Sequence, residues 1–367
     1  MKPAIVVAAY NRPDALERLL GSISRAHYEE EDIPLIISID NSGSRACLEA
    51  AERFAWEHGA KIISAKESRM GLKAHLLSCG DLSLTYGSAI ILEDDLYVAE
   101  DFYRYAARAL EFSSRDERVG GVSLYCHLFH VFTRLPFRAI DDGYDNYYLQ
   151  FASSWGQAVT AGQWQGFKDW LAGWDGRDLH TEKMPDEVAS WSSSSWLKYH
   201  IRYLTETGKY FLYPRESYTT NFSDEGEHAR KKGTELQVPL AGPMRREPVF
   251  SGLSESASVY DAFFENEALG SVSDLYGLKR RQGKLPAEGC VYSMEALPYQ
   301  VKASFGLSMR PQEANILQGV PGEEIRLYDL SAAGQAPSGK GGHTAYYYRG
   351  LNRRKIWDYV WNTWNLS

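Results

Sequence analysis

The run Ile90-Ile91-Leu92-Glu93-Asp94-Asp95-Leu96 sets three apolar residues directly before three consecutive carboxylates. A short β-branched run of this kind predicts a buried strand, with the acids where the chain leaves the sheet. Three adjacent negative charges repel, so a strand end carrying them is expected to hold a cation. Hard cations such as Mg2+ or Mn2+ take carboxylate oxygens and commonly share themselves with substrate phosphates. A solvated acidic turn, or the first turn of the next helix, is the alternative reading. Two further polar clusters end apolar runs in the same way. Tyr10-Asn11-Arg12 follows Ala4-Ile5-Val6-Val7-Ala8, and Asp40-Asn41-Ser42 follows Leu35-Ile36-Ile37-Ser38-Ile39.

The elements that must position these residues alternate. Pro13 presets the first turn of a helix over 13–26, with Leu16, Leu19, Leu20 and Ile23 on one face. A helix over 45–58 separates the second strand from a third at Lys61-Ile62-Ile63, and a helix over 71–84 precedes the strand that carries the acids. Strands alternating with helices predict a parallel sheet with right-handed crossovers. Ligands of such sheets bind beyond the carboxyl ends of the strands. All three polar clusters lie at those ends and are expected to converge on one site.

Composition frames the chemistry. With 367 residues the chain suits one large domain with an appendage, or two domains. The 44% hydrophobic and 24% charged fractions are those of a globular protein. A net charge of −8 argues against a nucleic-acid partner. The 24 Tyr and 10 Trp suit saccharide-handling surfaces as well as ordinary cores. Cys47, Cys79, Cys126 and Cys290 match no zinc or redox spacing, which predicts a reduced compartment. There is no charged and apolar leader pattern and no run of about 18 apolar residues, so a cytoplasmic location is expected.

Four segments in order carry a family resemblance: Ala9-Tyr10-Asn11-Arg12-Pro13, Ile39-Asp40-Asn41-Ser42, Met70-Gly71-Leu72-Lys73 and Leu92-Glu93-Asp94-Asp95. Their order and spacing resemble GT-A fold glycosyltransferases, above all the family 2 enzymes of bacterial polysaccharide synthesis. They are more distantly similar to N-acetylglucosaminyltransferase I. The likeness covers about 1–240 and continues through Ala152-Ser153-Ser154-Trp155-Gly156-Gln157, Tyr213-Pro214, Asn221-Phe222 and Gly226-Glu227-His228. It implies an α/β fold with a Rossmann-like, mostly parallel sheet flanked by helices and a C-terminal appendage. The implied domain is 1–245, with a donor half over about 1–125 and an acceptor half over 126–245; the role of 246–367 is not implied. The implied activity is metal-dependent transfer from a nucleotide-sugar, a UDP-sugar, to a glycan or lipid-linked glycan, with Mn2+ (or Mg2+) as cofactor. By position, Tyr10 belongs to the donor site and Asp40 lies against the uracil ring. Arg12 and Lys73 meet ribose or diphosphate, Glu93 and Asp94 lie near the ribose and transferred sugar, and Asp95 coordinates the metal. Trp155 and Gly156 resemble the donor-sugar loop, and His228 stands where a late histidine reaches metal or diphosphate. Arg230-Lys231-Lys232 is read as a lid over the diphosphate.

An inverting transferase needs a carboxylate to take the acceptor hydroxyl proton. The resemblance implies that acid between Trp191 and Trp196, where this chain has only Ser192-Ser193-Ser194-Ser195. Asp186 and Glu187, one turn upstream at the start of a helix read over 188–207, are the favoured candidates, with Asp224 and Glu225 behind them. A retaining mechanism, a catalytically silent binding module and a nucleotidyltransferase are the competing readings. Trp164, Phe167, Trp170, Leu171 and Trp174 recur at helical spacing and read as core. The acids of Asp141-Asp142-Gly143-Tyr144-Asp145 read as a solvated turn. A helix over 352–365, with Ile356, Val360 and Trp364 on one face, either docks on its own domain or lies peripherally at the inner face of a membrane.

Overall fold

The structure, a computed structural model, describes residues 1–224 and 234–336, together with 357, 358 and 361. Met1–Leu128 and Ala139–Ala268 form one compact unit, and Phe129–Arg138 with the described part of 269–367 forms a second. In the first unit, β1 (Ala4–Ala9), α1 (Pro13–Ser24), β2 (Leu35–Ile39), α2 (Ala46–Arg53), β3 (Lys61–Ala65), α3 (Leu72–Tyr86) and β4 (Ser88–Glu93) alternate as the periodicity predicts. Next come β5 (Leu96–Val98), α4 (Phe102–Ser113), β6 (Val119–Ser123), β7 (Asn146–Leu149), β8 (Gln157–Thr160) and α5 (Ala161–Ala172). The unit continues with α6 (Asp186–Ala189), α7 (Leu197–Thr207), β9 (Tyr210–Pro214), β10 (Thr219–Asn221) and β11 (Val259–Tyr260).

One mostly parallel, nine-stranded sheet runs β11-β7-β9-β6-β8-β4-β1-β2-β3. Val7 of β1 lies opposite Ile37 of β2 on one side and Leu92 of β4 on the other, all in parallel register. These strands are buried up to the half-buried Glu93 that ends β4, which is why they read as continuous apolar runs. Leu16, Leu19, Leu20 and Ile23 of α1 pack in one core with Ile5, Val7, Leu35 and Ile37. Each such side chain contributes roughly 1.5–3 kcal/mol by leaving water. On α3, Gly80 admits Trp164 of α5 so closely that a Cβ there would sit 2.0 Å from the indole. The tryptophan stripe is therefore core at Trp164 and Phe167, while Trp170 and Trp174 are half-buried and pack ring to ring at 5.0 Å.

Two antiparallel departures shape the site. β8 runs against β4, with Gln157 opposite Ile91, so the loop carrying Trp155-Gly156 enters at the end where β4 releases its acids. β10 pairs antiparallel with β5, Asn221 opposite Leu96, and the Phe222 amide donates to the Asp95 carbonyl at 2.9 Å. This brings residues 125 and 127 positions apart to one rim.

The single helix read over 188–207 is two. Between α6 and α7 the Ser192 hydroxyl accepts from the Ser194 amide (3.2 Å), and the Ser195 hydroxyl accepts from the Lys198 amide (3.4 Å). Serine oxygens that capture backbone donors compete with the helix, and here they interrupt it. The acids at 141–145 are likewise not a merely solvated turn: Asp142 accepts from Arg215 (2.6 Å) and Asp145 from Arg246 (2.6 Å).

The second unit has a four-stranded sheet of β12 (Val272–Asp274), β13 (Cys290–Ser293), β14 (Tyr299–Phe305) and β15 (Ile325–Ala333), in the order β12-β13-β15-β14. It has a small core of its own around Leu275, Met294, Leu307 and Ile325. Among the described residues no helix is long and apolar enough to cross a membrane. The helix read over 352–365 lies outside the described residues except for 357, 358 and 361.

Candidate active site

The polar ends of β1, β2 and β4 meet at a cavity of about 250 Å³. Tyr10, Arg12, Asp40, Glu93 and Asp95 all line it, together with Trp155 from the loop before β8. The far rim is built by Asn221, Ser223 and Asp224 at the end of β10. Asp224 is held by Arg18 of α1.

The three acids do not share one environment. Asp94 is turned inward, its side chain 3% exposed, and accepts from the Arg12 guanidinium and from the Tyr10 amide at 3.4 Å. Burial pushes its carboxyl up to about 6 despite Arg12. Asp95, 16% exposed, accepts from Arg12 Nη1 at 3.1 Å through Oδ2. Its Oδ1 is buried without a hydrogen-bond partner. Glu93 faces the cavity, and burial, reinforced by the Asp95 and Asp94 charges, raises its carboxyl well above the usual range. Burial works against the Arg12 charge, but Asp94 and Asp95 outweigh it and hold the guanidinium protonated. The cation that the acidic run holds in this structure is thus Arg12.

Asp40 is committed in a different way. Its Oδ1 accepts from the amides of Asn41 (2.8 Å) and Met70 (2.7 Å), and its Oδ2 from the amide of Gly71 (2.9 Å). Burial pushes its carboxyl up, yet these backbone donors outweigh it and hold the group below the usual carboxylate range. The chain can turn into α3 here because Gly71 sits at φ +81°, where a side chain is strained. Asp40 therefore fixes the start of α3 while it lines the cavity.

Two residues of the same wall had not been singled out in the sequence. His75, one helical turn after Gly71, is buried, and its Nε2 lies 2.9 Å from the Ser38 hydroxyl. Burial lowers its imidazole against the pull of Asp40, which keeps the ring neutral near pH 7. Arg69 places its guanidinium 5.3 Å from the centre of the Tyr10 ring. The i+4 spacing from Gly71 was the available signal for His75.

Gly156 has φ +93°, and a Cβ there would meet the Thr219 side chain at 2.7 Å. Thr219 in turn donates to the Trp155 carbonyl at 2.6 Å, locking the indole's loop to β10.

The remaining sequence candidates lie elsewhere. Lys73 is not among the cavity's lining residues; its ammonium sits 3.7 Å from the Tyr199 ring centre. Asp186 and Glu187 open the short α6 and line neither this cavity nor a second one beside it. That second cavity, about 360 Å³, shares Leu72 and Glu93 with the first and is walled by the serine interval. His228, Glu225 and Arg230-Lys231-Lys232 lie outside the described residues. Among the described residues, no group of three or more His, Cys, Asp or Glu is arranged to hold a metal ion.

No protein-family model matches the chain, and no curated protein does. Among solved structures it is similar to S. aureus TarS 1-349 in complex with UDP-GlcNAc, at 14% identity and a TM-score of 0.42, over 62% of this chain and 60% of that one. A second crystal structure of S. aureus TarS 1-349 matches over 61% of each chain, at 14% identity and a TM-score of 0.40. The mannosyltransferase PcManGT from Pyrobaculum calidifontis, in complex with GDP-Man and Mn2+, is 16% identical over 47% of this chain and 48% of that one, with a TM-score of 0.33. The match thus spans about three fifths of the TarS 1-349 segment and 36% of the longer TarS chain.

Proposed function

We propose that the chain is a metal-dependent glycosyltransferase that moves a sugar from a UDP-sugar to a glycan or lipid-linked glycan hydroxyl, with inversion. The observation that carries this reading is the meeting of three strand-end clusters, 30 to 85 residues apart, in one cavity beside a tryptophan-glycine loop. Asp40 and His75 supply the polar wall for the base, and Trp155 covers the sugar. The acceptor oxygen bonds to the anomeric carbon as the bond to the diphosphate oxygen breaks, the electron pair leaving with the diphosphate. The hydroxyl proton passes to a carboxylate. Glu93, which lines both cavities, is the candidate we prefer to Asp186 and Glu187, accepting the proton in the fraction of molecules where it is ionised.

Asp95 suits a hard divalent cation, because one of its oxygens is buried and takes no hydrogen bond. A site with one protein carboxylate fits Mg2+ or Mn2+, which lean on substrate phosphates for their other ligands. When bound, the ion supplies Lewis acidity to the departing diphosphate. Calorimetry with UDP, with and without Mn2+, followed by an assay for UDP release from UDP-sugars, tests the reading. Absence of UDP binding under both conditions sinks it. A silent UDP- or glycan-binding module is the second reading, favoured by the serines where the resemblance implies an acid. Binding without turnover of any UDP-sugar decides for the module.

A further inference from the structure

The wall of the second cavity has a composition that selects among acceptors. Ser192, Ser194 and Ser195 come from the break between α6 and α7, and Ser154 from the loop before β8. Hydroxyls both donate and accept, which matches the mixed donor and acceptor pattern of a sugar's own hydroxyls. Trp191 and Trp196 bracket the serines, and Trp191 is half-exposed, its ring edge-on to Phe151 at 6.2 Å. An indole held in this way offers a rigid apolar surface with a polar edge.

Charge narrows the class further. Among the described residues the wall carries one carboxylate, Glu93, and no lysine or arginine. The two lysines beside it in sequence are engaged elsewhere. Lys198 is nearly buried and donates to the Trp191 carbonyl at 2.8 Å, and Lys73 lies over the Tyr199 ring. A phosphate, sulfate or carboxylate on the entering ring would leave water with no positive partner among the described residues of the wall. A buried or half-buried charge without a partner is unfavourable.

We propose that this cavity takes the acceptor as an uncharged sugar ring, bearing no phosphate, sulfate or carboxylate on the residue that enters. The inference rests on the transferase reading above, and its test is separable from the test of that reading. The full chain is saturated with UDP and Mn2+, so that sugar phosphates cannot report on the first cavity. Saturation-transfer NMR is then recorded with cellobiose, N,N′-diacetylchitobiose, glucose 6-phosphate and glucuronate. At least one neutral disaccharide is expected to give signal that is lost in Trp191→Ala, while the two anionic sugars give none. Should Trp191→Ala misfold by circular dichroism, the exposed Ser192→Lys serves instead and is expected to admit glucose 6-phosphate. The proposal is overturned if the anionic sugars bind the wild-type chain as well as the neutral ones. It is equally overturned if neutral binding survives Trp191→Ala, if neither disaccharide binds, or if a folded Ser192→Lys still excludes glucose 6-phosphate. UDP binding, measured by calorimetry on the same sample, reports on the donor reading alone.

Discussion

At the scale of single residues, the acidic run shows how one pattern divides its labour. Asp94 is an inward structural partner of Arg12, Asp95 keeps a buried oxygen without a partner, and Glu93 looks into both cavities. Removing Arg12 leaves Asp94 buried without its counter-charge. Arg12→Ala is therefore expected to cost about 3–5 kcal/mol in a urea melt. Asp95→Ala, by contrast, is expected to leave the melt near that of the parent and to abolish the Mn2+-dependent part of UDP binding. Persistence of Mn2+-enhanced UDP affinity in that variant would remove Asp95 from the metal site. Asp40 carries a double prediction. Asp40→Asn keeps size but weakens the acceptor of three amides, so stability falls by about 1–3 kcal/mol and uridine is less well distinguished from other nucleosides. Because its folded carboxyl lies below the unfolded value of about 3.9, its contribution is full above that value and is lost as pH falls through the folded value. Urea melts between about pH 5 and pH 2 are thus expected to have a shallower pH slope in Asp40→Asn than in the parent.

At the scale of elements, the site depends on strands that run against the parallel set. β8 and β10 bring the Trp155-Gly156 loop and Asn221 to the acids, and Thr219 ties the two together. Gly156→Ala forces a side chain into a left-handed backbone against Thr219. It is expected to reduce UDP-sugar turnover while UDP affinity, read by calorimetry, changes little. Asp186 and Glu187, at the start of α6, line neither cavity. Accordingly Asp186→Asn and Glu187→Gln are expected to leave turnover unchanged, and Glu93→Gln to lower it by about 100- to 10,000-fold. Equal loss in Asp186→Asn or Glu187→Gln would return the role to α6.

At the scale of the molecule, the first unit carries an acid-sensitive element in its core. His200 of α7 is fully buried, stacks on Phe167 at 4.1 Å, and neither ring nitrogen has a hydrogen-bond partner. Burial pushes its imidazole down to about 3. An unfolded chain protonates this ring near pH 6.5, whereas the folded one does not until about pH 3. Stability is therefore full above about pH 6.5 and declines as pH falls toward 3. His200→Phe retains the stacking and is expected to flatten that decline. Thermal melts of both chains between those limits check it, and parallel curves would exclude His200 as the origin.

Local pattern alone was enough for the alternation of strands and helices from Ala4 to Glu93, because apolar periodicity depends only on neighbours in sequence. It also placed Tyr10, Asp40 and the acidic run at strand ends, since the polar residues begin where the apolar runs stop. Partnership was decided only by the fold. Arg12 answers Asp94 from 82 residues away, and Asp40 spends its oxygens on amides 30 residues on. The interruption at the serines came from side-chain oxygens that capture amides within a few residues, which the helical spacing of Val188 onward does not reveal. Burial and long-range hydrogen bonding are properties of the packed chain, so the same charged letters read alike until the sheet assigns each one an inside, an outside and a partner.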